Sequence, residues 1–318
     1  MGRRVIDALL VPGALTVTST PHAADRTAVT LGTATPGGGF PVYGRAFADA
    51  VHAVDSTLDI QQRNTKGSSE NVPLLERGEL DLALVQGEAA YEAIAGVGRA
   101  PADLRILTAM YSSPGMFVVR ADSSHRSIAD LRGQPVAFGA RGSGLVILAR
   151  YVLDGIGLDQ QKDFRAIFLD AAADGPAMVM DGRAAALWGG GLGWPGFAAV
   201  AKGPAGARFI APTAEQIARI RAKHAFLKAL TIPPGSYPGQ DRAIESVGSW
   251  SFVMTRPTLP DDVAYRLARA LHRGEAEIAR RLPAARETTP ANTVAAAPRP
   301  DLIHPGVARY LGEIGLLR

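Results

Sequence analysis

The chain has 318 residues, 47% hydrophobic and 20% charged, a balance that excludes a disordered chain and suits two lobes better than one core. Its formal charge of +4 comes from 34 Lys plus Arg against 30 Asp plus Glu, spread along the chain, which excludes the clustered basic stripe of a nucleic-acid binder. With no cysteine, there is no disulfide framework, thiolate zinc site, cysteine nucleophile or lipid-anchored lipoprotein terminus.

Residues 1–24 read as an export signal. Arg3 and Arg4 precede an apolar stretch from Val5 to Val17, then small residues up to a cut after Ala24, although Asp7 and His22 depart from the pattern. The expected location is the periplasm, without a lipid anchor. No stretch reaches the twenty apolar residues of a membrane span.

The mature part begins with a β-rich strand over Thr27–Gly32, the Gly-rich turn 35–39 and a helix over Phe40–Val54. A strand over Leu58–Arg63, a polar loop 64–69 and a helix ended by Gly78 follow. Leu80–Val85 is a strand and Glu88–Ile94 a helix. This β-loop-α unit, repeated three times, predicts a parallel sheet with helices on its faces.

Two strands are expected at Leu104–Tyr111 and Met116–Arg120, then a second βαβ series: strand Pro135–Phe138, loop 139–144, helix Leu145–Leu153, strand Asp163–Leu169, helix Ala173–Met180 and strand Ala184–Trp188. Val247–Thr255 reads as a strand returning to the first lobe. Asp261–Arg280 reads as one long helix, 286–300 as a loop and Val307–Ile314 as a closing helix. The fold class is therefore α/β and two-lobed, with lobe 1 over 25–112 plus 248–318 and lobe 2 over 113–247.

Loops rich in Gly or Ser at 35–39, 64–69 and 139–144 each lie after a strand and before a helix. Ligands in open α/β sheets bind at the carboxyl ends of strands. Helix N-termini there offer free N–H groups to an anion, and glycine lets the backbone come close. The loops carry neither a Walker nor a dinucleotide fingerprint, and Gly142-Ser143-Gly144 lacks the spacing of a nucleophile elbow. No two of the six histidines lie three to five residues apart, so no helical pair chelates a metal. The expectation is binding without catalysis, metal or cofactor.

With these loops in view, the chain resembles the TAXI family of TRAP-transporter solute receptors, from about residue 28 to the C-terminus. Gly37-Gly-Gly-Phe-Pro-Val-Tyr-Gly44 is similar to that family's GGTYYPLG loop, and Thr65-Lys-Gly-Ser-Ser-Glu-Asn71 to its TGGSxEN loop. Residues 74–86 and 91–93 are similar to LLxxGExDLAxVQ and YxA, and Gly142-Ser-Gly144 to the GSG loop. Residues 232–240 and 304–310 are similar to IPAGTYPGQ and HPGAxRY.

The resemblance implies a periplasmic-binding-protein fold of the type II kind, whose chain crosses between lobes twice, here near Ser112–Gly115 and Glu245–Ser249. It implies a monomer that binds a small organic carboxylate and delivers it to TRAP membrane subunits. The ligand contacts would come from Gly38, Gly39, Phe40 and Tyr43 in the first loop and Ser68 and Ser69 in the second. Gln86 and Gly87 follow at the third strand's end. The opposite lobe would supply Arg141, Gly142, Ser143, Gly144 and Leu145, with Trp188, Gly189 and Tyr237 as further wall.

The sequence departs from the family at Gly39-Phe40-Pro41 and Leu145, where hydroxyl-bearing residues give way to apolar ones. An organic acid with an apolar or aromatic body is expected in place of an amino dicarboxylate. The alternatives are an enzyme of the same fold working in the cleft, or a sensory subunit of a membrane receptor.

Overall fold

The computed structural model describes residues 1–2 and 26–317, so the expected export signal lies outside the described residues. The first half of the chain runs β1 (Thr27–Gly32), α1 (Gly39–Val54), β2 (Leu58–Arg63), α2 (Ser68–Glu76), β3 (Leu82–Gln86), α3 (Gly87–Ala95) and β4 (Arg105–Arg120). It continues with β5 (Pro135–Ala140), α4 (Gly144–Gly155), β6 (Arg165–Leu169), α5 (Asp174–Met180), β7 (Ala186–Gly190) and α6 (Pro195–Ala201). Then come β8 (Ala207–Ile210), α7 (Ala214–Lys223), β9 (Lys228–Ile232) and β10 (Ile244–Thr255). The chain closes with α8 (Asp261–Arg273), α9 (Glu275–Arg281), α10 (Pro290–Ala296) and α11 (Pro305–Glu313).

β4 and β10 organise the molecule. The hydrogen-bonded strand order is β2-β1-β3-β10-β4-β7-β5-β6, with β8 on β4 and β9 on β10. β4 pairs with β10 as far as Pro114 and with β7 and β8 from Gly115 onward. β10 pairs with β9 over 244–248 and with β3 over 251–255. Each long strand thus leaves one half of a curled sheet and enters the other, as the two expected crossings require.

The apolar patterning explains the layers. In the first lobe, α1, α8 and α11 cover one sheet face with Phe47, Leu267 and Leu311, while Leu75, Leu80, Val85 and Phe252 fill the other. In the second, Phe138, Leu148, Val152 and Trp188 form one core layer, and Met116, Leu187 and Phe197 the opposite one.

Several expected elements change. The two strands at 104–111 and 116–120 are one, because Pro114 and Gly115 fall where β4 exchanges partners. Gly115 is needed there: a Cβ would lie 2.5 Å from the Trp188 ring. The expected long helix is divided at Gly274 into α8 and α9. The expected loop at 286–300 contains α10, started by Pro290 at its first position and by the Thr289 side chain accepting from Asn292 N. α7 opens with a Thr213–Gln216 capping box that the sequence reading passed over.

Candidate functional site

A cavity of about 50 Å³ lies where the two lobes meet. Lobe 1 lines it with Thr35, Gly38, Gly39, Phe40, Lys66, Gly67, Gln86 and Tyr111, and β4 adds Ser113 where it crosses between the lobes. Lobe 2 supplies Gly139, Ala140, Ser143, Leu145, Leu169, Ala172, Gly190 and Trp194. Of the expected contacts, Gly38, Gly39, Phe40, Gln86, Ser143 and Leu145 face this space.

The remaining expected residues do other things. Tyr43 is buried behind Tyr111, their rings 5.7 Å apart, with its hydroxyl 3.3 Å from Thr288 Oγ1. Ser68 is buried and its Oγ accepts from Gln86 N at 3.0 Å, so it fixes Gln86. Gly87 packs on the Trp250 carbonyl and Ser249. Arg141 is turned to solvent, 3.8 Å from Asp170 and 6.0 Å over the Phe168 ring. Trp188 is fully buried and donates from Nε1 to the Leu145 carbonyl at 2.8 Å. Gly189 leaves room for the Trp194 ring, and Tyr237 donates to Gly191 O while accepting from Trp194 N, which holds the Trp194 loop in place.

Ser69, Gly142 and Gly144 lie on the seam itself. Ser69 N donates to Gly142 O across the lobes at 3.1 Å. A Cβ on Gly142 would lie 2.5 Å from Lys66 O, and one on Gly144 2.5 Å from Gln86 Cβ. On the other side of the cavity, Ala172 N donates to Thr35 Oγ1 and Ala173 N to Pro36 O. The lobes therefore touch backbone to backbone, and the Gly-rich loops are small because each must admit the opposite lobe. Sequence reasoning assigned that closeness to a ligand alone.

The electrostatics of the cavity are simple. Lys66 is the charged side chain on its wall, a role expected of Arg141. Gln86 is buried, and its Nε2 has no hydrogen-bond partner. Ser143 caps α4, its Oγ accepting from Leu145 N at 3.2 Å. Most N–H groups opening α4 and α2 are already engaged, Leu145 N and Val146 N by Ser143 and Ser69 N by Gly142 O, with Glu70 N and Asn71 N on Gly67 O, so it is the positive ends of the two helices that favour an anion beside them. Among the described residues, no group of three His, Cys, Asp or Glu side chains comes together to hold a metal. Tyr111 and Ser113 were missed because they sit inside an apolar strand; Lys66 could have been found from its place between Thr65 and Gly67.

A family model described as the NMT1-like family matches residues 31–315, nearly the whole chain. The chain belongs to the NMT1-like family. Solved structures share the fold at low identity. The alkanesulfonate-binding protein SsuA of Xanthomonas axonopodis pv. citri, bound to MOPS, matches with a TM-score of 0.50 and 18% identity over 93% of this chain and 96% of its own. A TctC solute-binding protein from Polaromonas has the same TM-score and identity over 93% and 100%. The periplasmic binding protein BugD matches with a TM-score of 0.53 and 12% identity over 80% and 85%. This family member therefore has the two-lobed fold of periplasmic binding proteins.

Proposed function

We propose that the protein is an extracytoplasmic solute receptor, closing two lobes around a small organic carboxylate and releasing it to a membrane transporter. The observation that carries this reading is the cavity at the seam, lined by both lobes, with Lys66 and the buried Gln86 from one and Ser143 and Leu145 at the start of α4 from the other. A cleft of this kind closes by hinge motion, and β4 and β10 are the two connections about which it would turn. The lobe limits we infer are 25–112 with 248–318, and 113–247. The TAXI resemblance supports the finer reading of a TRAP-type transporter and periplasmic location. SsuA, which binds an alkanesulfonate, uses this fold for an organic anion.

The space argues about ligand size. A dry cavity of roughly 150 Å³ takes up benzene, whereas this one holds about 50 Å³. The closed geometry suits a short aliphatic acid and leaves an aromatic acid needing the lobes held further apart. That narrows the apolar or aromatic body expected from Gly39, Phe40, Pro41 and Leu145 to an aliphatic one: Phe40, Leu145 and Trp194 line the cavity, whereas Trp188 belongs to the core. A thermal-shift screen of short aliphatic acids, amino dicarboxylates and aromatic acids tests this. We expect a short acid to raise the melting temperature; a shift confined to benzoate and phthalate overturns the size argument.

A further inference from the structure

α3 of lobe 1 and α4 of lobe 2 begin against each other at the seam, and their contact continues beyond the cavity. Glu92, in the second turn of α3, accepts hydrogen bonds from the Arg150 guanidinium and, at 2.9 Å, from the Tyr151 hydroxyl, both on α4. Its neighbour Tyr91 stacks on Phe226 of lobe 2, the ring centroids 4.0 Å apart and the planes 10° from parallel. Tyr91, Glu92, Arg150, Tyr151 and Phe226 all lie outside the lining of the seam cavity.

The two sides of this contact are built differently. The lobe 2 side is held from within. Gly155 lets α4 approach α7 closely, since a Cβ there would lie 2.7 Å from Ile220 Cα. Asp154 of α4 pairs with Lys223 at 2.8 Å and with His224 at 2.7 Å, at the end of α7. Leu227 N donates to His224 O, which fixes the turn that carries Phe226. The Phe226 ring also meets the Tyr151 ring edge-on at 5.0 Å. On lobe 1, Ala89, Ala90 and Ala93 bury one face of α3 in the core, and Tyr91 and Glu92 reach across to the other lobe.

Parting the lobes breaks this contact. The Cβ position of Gly144, the first residue of α4, lies 2.5 Å from Gln86 Cβ, and Gln86 directly precedes α3. A rotation about β4 and β10 that separates these two points carries α4 with it and draws Arg150, Tyr151 and Phe226 away from α3. Close packing does not join the lobes here. A cavity of about 560 Å³ lies beside the stack, between Tyr91 and Ile94 of α3, Trp250 and Phe252 of β10, and Phe226 and Lys228 of lobe 2. The side chains therefore span a gap.

We propose that Tyr91 and Glu92 of lobe 1 form a latch with Phe226, Arg150 and Tyr151 of lobe 2, which keeps part of the population closed without ligand. This rests on the lobe limits inferred above and adds a control of closure outside the ligand cavity. Apparent affinity falls in proportion to the fraction of protein in the binding-competent form, so the latch sets affinity without touching the ligand. An exposed ion pair is worth roughly 1.5- to 5-fold in such an equilibrium, and an aromatic pair roughly 2- to 13-fold.

The test needs no ligand. The chain has no cysteine, so Val54→Cys on lobe 1 and Met180→Cys on lobe 2, both exposed, take spin labels away from the latch and the cavity. Pulsed electron spin resonance then reads the closed and open populations from the distance between the labels. Glu92→Arg and Arg150→Glu each set like charges against one another and should lower the closed-to-open ratio by about 2- to 30-fold. The two together should restore most of it. Tyr91→Ala should lower it roughly 2- to 13-fold, and urea unfolding of every variant should stay near that of the unchanged protein. A ratio unmoved by the single changes, a double exchange no better than either alone, or a ligand-free protein with no closed fraction overturns the proposal. A variant that loses stability at an unchanged ratio shows a structural role only and overturns it too. Where a variant does not fold, the unchanged protein in about 1 M salt, with a screening length near 3 Å, repeats the test: the ratio should fall, and a constant ratio counts against the latch. Populations that respond to these changes in a protein that binds none of the screened acids would disprove the carboxylate reading and leave the latch standing.

Discussion

Gly144→Ala separates closure from folding. Gly144 starts α4 in lobe 2, and an added Cβ would meet Gln86 Cβ at 2.5 Å and Ser68 Oγ at 2.9 Å, both in lobe 1. The first contact is about 1 Å inside the ~3.5–4.0 Å optimum for carbon atoms. Overpacking of this kind costs about 1–3 kcal/mol, which is roughly a 5- to 150-fold loss of the closed form. Only the closed form is penalised, because in the open form the methyl group meets no opposite lobe. Gly38 and Ala172 face each other across the seam with Cβ positions 3.7 Å apart, within the roughly 3.5–4.5 Å of disulfides, so the assay is the rate at which a Gly38→Cys, Ala172→Cys pair oxidises in a fixed redox buffer, with and without Gly144→Ala. We expect oxidation to slow within that range while the melting temperature of the reduced protein holds. Gly87→Ala is the contrast: its Cβ would meet Ser249 Oγ at 2.4 Å and the Trp250 carbonyl at 2.5 Å, so the fold itself should weaken. An unchanged oxidation rate with a lowered melting temperature for Gly144→Ala would refute the seam as drawn.

Other changes follow from the same geometry. Lys66→Met should weaken binding of whichever acid the screen returns by about 10- to 150-fold, the 1.5–3 kcal/mol or so of a charged hydrogen bond, with the melting temperature unchanged because Lys66 is exposed; calorimetry checks this. Tyr237→Phe leaves Gly191 O and Trp194 N without the Tyr237 hydroxyl. It should destabilise the fold by about 1–3 kcal/mol and shift the emission of Trp194, read by urea unfolding and fluorescence. His304 is buried and caps α11 by accepting from Gly306 N, and burial holds its pKa below 6.5. The unfolded chain then binds the extra proton, so stability present above pH 6.5 should fall as the pH drops from there toward the lowered value. His304→Asn, which keeps a capping side chain, should flatten that slope in urea titrations; an equal slope refutes the assignment.

The fold was legible because its signals are local and repeated. The period-2 strands, the 3.6-period helices and the loops between them define both βαβ series. The break at Pro114–Gly115 was misread because a strand that changes partners looks, in one dimension, like two strands. α10 was missed because Ala, Pro and Thr resemble a linker, whereas Thr289 and Pro290 are a helix start. The cavity was legible where loops meet it, at Gly38, Gly39, Phe40, Gln86, Ser143 and Leu145. It was hidden where it depends on pairing between distant segments: Tyr111 and Ser113 reach it only because β4 crosses there. Trp188 and Arg141 show the opposite error, since chemical suitability does not tell which way a side chain turns.

The central claim is capture without chemistry in a closing cleft. Its most direct measurement combines calorimetry with X-ray scattering for the acid giving the largest thermal shift, followed by mass spectrometry of that acid after long incubation. One equivalent bound, a smaller radius of gyration in the complex and the acid recovered unchanged are expected. Saturated binding with an unchanged radius, or conversion of more than one equivalent of acid to product, would contradict it.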